Sequence, residues 1–156
     1  MIDYTIEHLA DRPEQISSLA RLLNAEWGHL EPWQDVAELQ RALTERSQSQ
    51  AAPFTLVALS GDRLLGSASI KFRELAHYPD RLWWIGDVIV APDQRARGIG
   101  GELANEAVRH AQASGIFELF LYTPDKEEFY ARRGWETVGR DSANGENNIV
   151  MRIALN

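Results

Sequence analysis

The chain has 156 residues, 44% of them hydrophobic and 25% charged, a balance that suits one globular domain with a sizeable core. It has no cysteine, which excludes disulfides, thiolate zinc sites and cysteine nucleophiles, and no run approaches the ~20 apolar residues of a membrane span. A net charge of −7, from 23 acidic and 16 basic residues, argues against general affinity for nucleic acid; it suits a cationic partner, or plain solubility.

The opening residues, MIDYTIEHLADRPE, carry early acids and no apolar core run, unlike a secretory signal, so a cytoplasmic location is the default expectation. Residues 2–9 alternate apolar and polar and predict a half-buried strand. Pro13 opens a helix in which Ile16, Leu19, Ala20, Leu22 and Leu23 recur at helical spacing up to Glu26-Trp27-Gly28. A second helix is predicted over Trp33 to Arg46, with Val36, Leu39, Gln40 and Leu43 as its inner stripe. Residues 54–59 read as a buried strand, Ser60-Gly61-Asp62 as a hairpin turn and residues 63–73 as the returning strand.

Residues 82–90 (LWWIGDVIV) form a long apolar strand stopped by Ala91-Pro92-Asp93. After the glycines that follow, Leu103, Ala104, Ala107, Val108 and Ala111 mark the buried face of a helix ending near Gly115. Residues 116–122 predict a strand, Asp125 to Arg133 a short helix, and Trp135 to Gly139 and Ile149 to Leu155 a closing strand pair around Asn144-Gly145. The order β-α-α-β-β-β-α-β-α-β-β describes an α/β fold of the mixed-sheet, α+β kind, with helices on both faces, in one domain over residues 1–156.

The turn Val90-Ala91-Pro92-Asp93-Gln94-Arg95-Ala96-Arg97-Gly98-Ile99-Gly100-Gly101 joins a strand directly to a helix. First-turn amides there have no intrahelical partner and carry the positive end of the helix dipole, which makes an anion site. Glycine at 98 and 100 lets phosphate oxygens approach the backbone, and Arg95 and Arg97 add cationic donors; the same glycines also serve close helix packing. The turn is not a Walker loop, and the third glycine of a dinucleotide fingerprint falls on Leu103.

This turn resembles the acetyl-CoA motif of the GNAT acetyltransferases, Arg/Gln-x-x-Gly-x-Gly/Ala, met here by Arg95, Gly98 and Gly100. The stretch from Leu121 to Trp135 is similar to the family's Phe-Tyr-x-x-x-Gly-Phe ending, with Trp135 in place of the usual Phe. The resemblance covers Leu82 to Gly139 firmly and the rest by element order. It implies the GNAT fold, acetyl-CoA as cosubstrate and an amine as acceptor, with no covalent enzyme intermediate. Residues 95–101 (Arg95, Ala96, Arg97, Gly98, Ile99, Gly100, Gly101) would then hold the pyrophosphate. Val88, Ile89 and Val90 would line pantetheine and polarise the thioester carbonyl, while Asp125 and Phe129 would flank the cofactor beside Tyr130. Tyr130 would be the general acid for the departing thiolate, or else an aromatic that packs under the short helix.

On the acceptor side, Leu22-Leu23-Asn24-Ala25-Glu26-Trp27 resembles the helix end of family members that acetylate processed actin N-termini, which raises peptide or protein N-termini beside small-molecule amines. Asp87 is expected as base or amine anchor, or else as a hydrogen-bonded structural acid; Gly86 departs from relatives with Glu there. Trp27 joins Glu26, Glu31 and Glu74 as candidates to bind a cationic substrate. His8, His29, His77 and His110 lack ligand spacing, so no metal is expected, and His110 falls on the outer face of its helix. Trp83 and Trp84 face opposite ways, one of them core and the other core, acceptor groove or dimer surface; relatives allow a homodimer. No nucleic-acid or membrane partner is expected, and a CoA-binding regulator without catalysis remains the rival reading.

Overall fold

In the computed structural model, which describes residues 3–155, the elements in chain order are β1 (Thr5–His8), α1 (Ile16–Trp27), α2 (Val36–Arg46), β2 (Phe54–Ser60), β3 (Arg63–Phe72), β4 (Trp83–Val90), α3 (Ile99–Ala113), β5 (Glu118–Thr123), α4 (Glu127–Ala131), β6 (Glu136–Asp141) and β7 (Asn148–Ala154). The predicted order is therefore the observed one. The strands form one seven-stranded mixed sheet, β1-β2-β3-β4-β5-β7-β6, antiparallel except where β4 meets β5.

Three helix starts differ from expectation. Pro13 opens a 3-10 turn, Pro13–Gln15, and the α-helix begins at Ile16. Trp33 ends another 3-10 turn rather than starting α2, because Asp35 accepts the Ala37 and Glu38 amides (2.9 and 3.3 Å) and caps the helix there. The short helix expected from Asp125 begins two residues later, at Glu127. Ile2, in the first predicted strand, lies outside the described residues. Among those described, no helix is long and apolar enough to cross a membrane.

Strand alternation sends β2 side chains to opposite faces. Leu56 and Ala58 join Leu103, Ala104 and Ala107 of α3, whereas Val57 and Leu59 join Leu19, Leu23, Leu39 and Leu43 of α1 and α2. Strand β4 breaks its own alternation. Ser69 pairs with Gly86 and Ser67 with Ile89, so Asp87 and Val88 together oppose Ala68 in a bulge. Ile85 consequently packs on the α3 side and Ile89 on the α1–α2 side. A third cluster, Leu75, Trp84, Phe120 and Val150, fastens the loop after β3 onto the sheet. Trp84 is fully buried; Trp83 is partly buried, edge to face with exposed Phe72.

Candidate active site

Strands β4 and β5 pair at one position, Trp84 with Phe120, and beyond it their facing edges are unpaired. A cavity of about 620 Å³ opens in this gap, a size that suits a small-molecule site. At one end lies the start of α3. Its N-cap, Gly98, is left-handed (φ 82°), and no side chain caps the first-turn amides. Open amides at the positive end of a 15-residue helix fit an anionic group such as a pyrophosphate.

Ala96, also left-handed (φ 63°), curls the turn so that Ala96, Gly98, Ile99 and Gly100 all line the cavity, as do Val88, Ile89 and Val90 of β4. Arg95 lines it too, but its guanidinium is engaged: Nε donates to the Val90 carbonyl (3.0 Å) and Nη2 to Glu26 of α1 (2.6 Å). Arg97 is exposed and outside the lining. Gly101 is outside the lining, and a Cβ there would fall 2.3 Å from Arg133 Nη2, just after α4.

On the far side, Asp125 and Phe129 line the cavity beside Tyr130, which is 8% exposed and stands edge to face with Phe129 and Trp135. Burial pushes its phenol up, so Tyr130 holds its proton at neutral pH. Thr123 Oγ1 accepts the Lys126 amide (3.1 Å) and sets the turn into α4.

The other end is walled by Trp27 at the end of α1 and by His29, Leu30 and Trp33 from the α1–α2 connection, with Glu26, Glu74, Asp87, Tyr122 and Glu146. Trp27 and Trp33 are tilted neighbours at 5.4 Å, and Asn24 secures the connection by donating to the Trp33 carbonyl (2.8 Å). Glu31 is exposed and takes no part in the lining.

Asp87 sits in the bulge with φ 51°, its carbonyl accepting from Ser67 Oγ (2.7 Å). Its carboxylate is occupied: Trp33 Nε1 and Lys71 Nζ lie 3.0 Å from Oδ1 and Arg46 3.3 Å from Oδ2. Burial alone would push this carboxyl up; Lys71, Arg46 and the Trp33 hydrogen bond overcome it and hold it below its ordinary value. A carboxylate so held is a weak proton acceptor, so the geometry favours the structural-acid reading of Asp87 over the base reading. Lys71 also reaches Glu74 (3.2 Å), whose Oε1 accepts from Tyr122 (3.5 Å).

Sequence reasoning missed Arg46, Lys71, Trp33 and Tyr122 as site residues. Their spacing carried only core or surface signals, and the bulge that gathers three of them at Asp87 is a matter of register. Among the described residues no three His, Asp or Glu are grouped as metal ligands would be.

The profile of the Acetyltransferase (GNAT) family matches residues 16–135. Among curated proteins, the chain is 29% identical over 130 residues to N-alpha-acetyltransferase 80 of Mus musculus, covering 80% of this chain and 39% of that protein. It is 36% identical over 90 residues to the uncharacterized N-acetyltransferase MJ1207 of Methanocaldococcus jannaschii, covering 55% of this chain and 36% of that protein. The chain thus spans well under half the length of both, 39% and 36%. Among solved structures, aminoglycoside 6'-acetyltransferase type Ii superposes with TM-score 0.75 at 23% identity over 96% of each chain. An aminoglycoside 6'-N-acetyltransferase complexed with coenzyme A gives 0.74 at 19%, again over 96% of each. These two likenesses speak to the fold.

Proposed function

Because the chain belongs to the acetyltransferase (GNAT) family, we propose that it moves an acetyl group from acetyl-CoA to a primary amine, directly and within a ternary complex. The observation that carries this reading is one cavity joining the uncapped start of α3, the free edge of β4 and the protonated Tyr130. Amides of residues 96–100 would hold the pyrophosphate. Backbone of Val88 to Val90 would receive pantetheine along the unpaired edge, where an amide polarises the thioester carbonyl. Tyr130 would hand its proton to the departing thiolate over one hydrogen bond.

The acceptor enters between the Trp27–Trp33 wall and Tyr122. Both a small-molecule amine and a peptide N-terminus suit an opening with aromatic walls and carboxylates; the relative named N-alpha-acetyltransferase 80 favours the peptide. The test is acetyl-CoA binding by calorimetry, followed by free-thiol release across a panel of alkylamines and peptides. Saturable binding with thiol release on one acceptor class is expected. No acetyl-CoA binding would overturn the reading, and binding with no release on any acceptor would favour a CoA-binding regulator.

A further inference from the structure

Resting on that reading, direct transfer leaves one proton to be removed from the acceptor, since an ammonium has no lone pair with which to attack. The cavity offers five carboxylates. Asp87 is sealed by Trp33, Lys71 and Arg46, Glu26 is held by Arg95, Asp125 lies beside α4 near the cofactor end, and Glu146 lies on the turn before β7. We propose that the remaining one, Glu74, is the catalytic base that takes the acceptor's proton, with Lys71 and Asp87 as the residues that position it.

Three observations carry this. Glu74 is pinned between left-handed Arg73 (φ 53°), whose amide closes on the Leu82 carbonyl (2.6 Å), and buried Leu75, which packs with Trp84. Its side chain bridges the two strands whose edges part, through Lys71 to Asp87 on β4 and directly to Tyr122 on β5. It therefore hangs over the gap where the thioester would lie. Finally, Oε1 receives both Lys71 and Tyr122, and among the described residues Oε2 has no hydrogen-bond partner.

The Lys71 stem lies across β4 at Gly86: a Cβ there would lie 3.4 Å from Lys71 Cε, in van der Waals contact. Lys71 divides its ammonium between Asp87 and Glu74, and Asp87 has Arg46 besides, so Glu74 is oriented without being sealed. Burial and the nearby Glu74 charge push the Tyr122 phenol up, which keeps Tyr122 a donor to Glu74 and no competitor for the proton.

The step balances. The Glu74 carboxylate takes a proton from the ammonium, and the freed lone pair forms the C–N bond at the acetyl carbonyl carbon. The C–S bond breaks with its electron pair on sulfur, sulfur takes the Tyr130 proton, and the amide nitrogen's surplus proton returns through solvent to Tyr130. Glu74 releases its own proton to water, so the net products are the amide, the free thiol and one proton.

The test uses the panel amine that the wild-type chain acetylates and its β,β-difluorinated analogue, whose amino group is largely neutral at pH 7.5. Glu74→Gln is expected to bind acetyl-CoA as wild type does and to turn over the parent amine on the order of 100-fold more slowly at neutral pH. The deficit should close as pH rises to the amine's own pKa, and on the fluorinated analogue. Glu74→Asp, which keeps the carboxylate, should recover part of the neutral-pH rate. Unchanged turnover in Glu74→Gln, an equal deficit at every pH and on both amines, or Glu74→Asp as slow as Glu74→Gln would each overturn the assignment. A wild-type chain that releases no thiol would count against acetyl transfer itself, a separate failure.

Discussion

Tyr130 combines two properties a thiolate acid needs, a cavity-facing position and a proton kept by burial. Tyr130→Phe keeps the ring edge to face with Phe129 and Trp135, so the fold should persist. We expect kcat to fall by about 100-fold or more with acetyl-CoA affinity nearly unchanged, measured by thiol release and calorimetry. The Glu26–Arg95 pair makes a different prediction. It ties a residue expected to meet the acceptor to one expected to meet the cofactor, and the guanidinium cannot serve both Glu26 and a pyrophosphate without division. Glu26→Gln frees Arg95, and acetyl-CoA should bind about two- to fivefold tighter at low salt, the range a surface ion pair can supply. Residue identity in the sequence exposed the candidates but not their engagement. Arg95 and Glu26 are 69 positions apart, and nothing local in either segment signals the other.

The start of α3 concentrates the cofactor argument at the level of elements. Gly98 needs its left-handed backbone, and a Cβ at Gly100 would meet Val90 Cγ2 at 3.3 Å. Valine at both positions forces a β-branched residue into φ > 0 and fills the approach to the amides. Gly98→Val with Gly100→Val should weaken acetyl-CoA binding by at least about tenfold, roughly 1.4 kcal/mol, in calorimetry; a thermal melt on the same sample separates lost binding from lost folding. Helix and strand periodicity made this turn legible from the sequence, because a strand–glycine–helix junction is a local pattern. The bulge in β4 was not legible. LWWIGDVIV scans as one apolar strand, yet Asp87 and Val88 share a single partner, and the resulting shift turns Ile85 and Ile89 to opposite faces.

The whole molecule couples its sheet to α3 at a second place, away from the cavity. His8 of β1 is buried against Phe54, with Nε2 3.1 Å from His110 Nδ1 on α3. His110 thus sits at the edge of its helix face, 39% exposed, and not wholly outward as its spacing suggested. Burial first, then the His110 neighbour, lowers the His8 pKa from its ordinary 6.5. A histidine with a depressed folded pKa stabilises the fold fully above its unfolded value and loses that contribution as pH falls through the folded one. The melting temperature should therefore drop on acidification below about pH 6.5. His8→Phe should flatten that drop, leaving the later loss as Asp87 is protonated below its ordinary 3.8, which thermal melts between pH 7.5 and 3 would resolve.

Element order, the two helix layers and the glycine turn were determined by the sequence alone, because hydrophobic period and turn chemistry act over a few residues. Which acid is sealed and which is left with an open oxygen was decided by the tertiary structure. Asp87, Arg46, Lys71, Trp33, Glu74 and Tyr122 come from separate segments, and their ion pairs exist only once register, bulge and loop closure have brought them together. Burial then sets their proton affinities, and burial is a property of the packed chain.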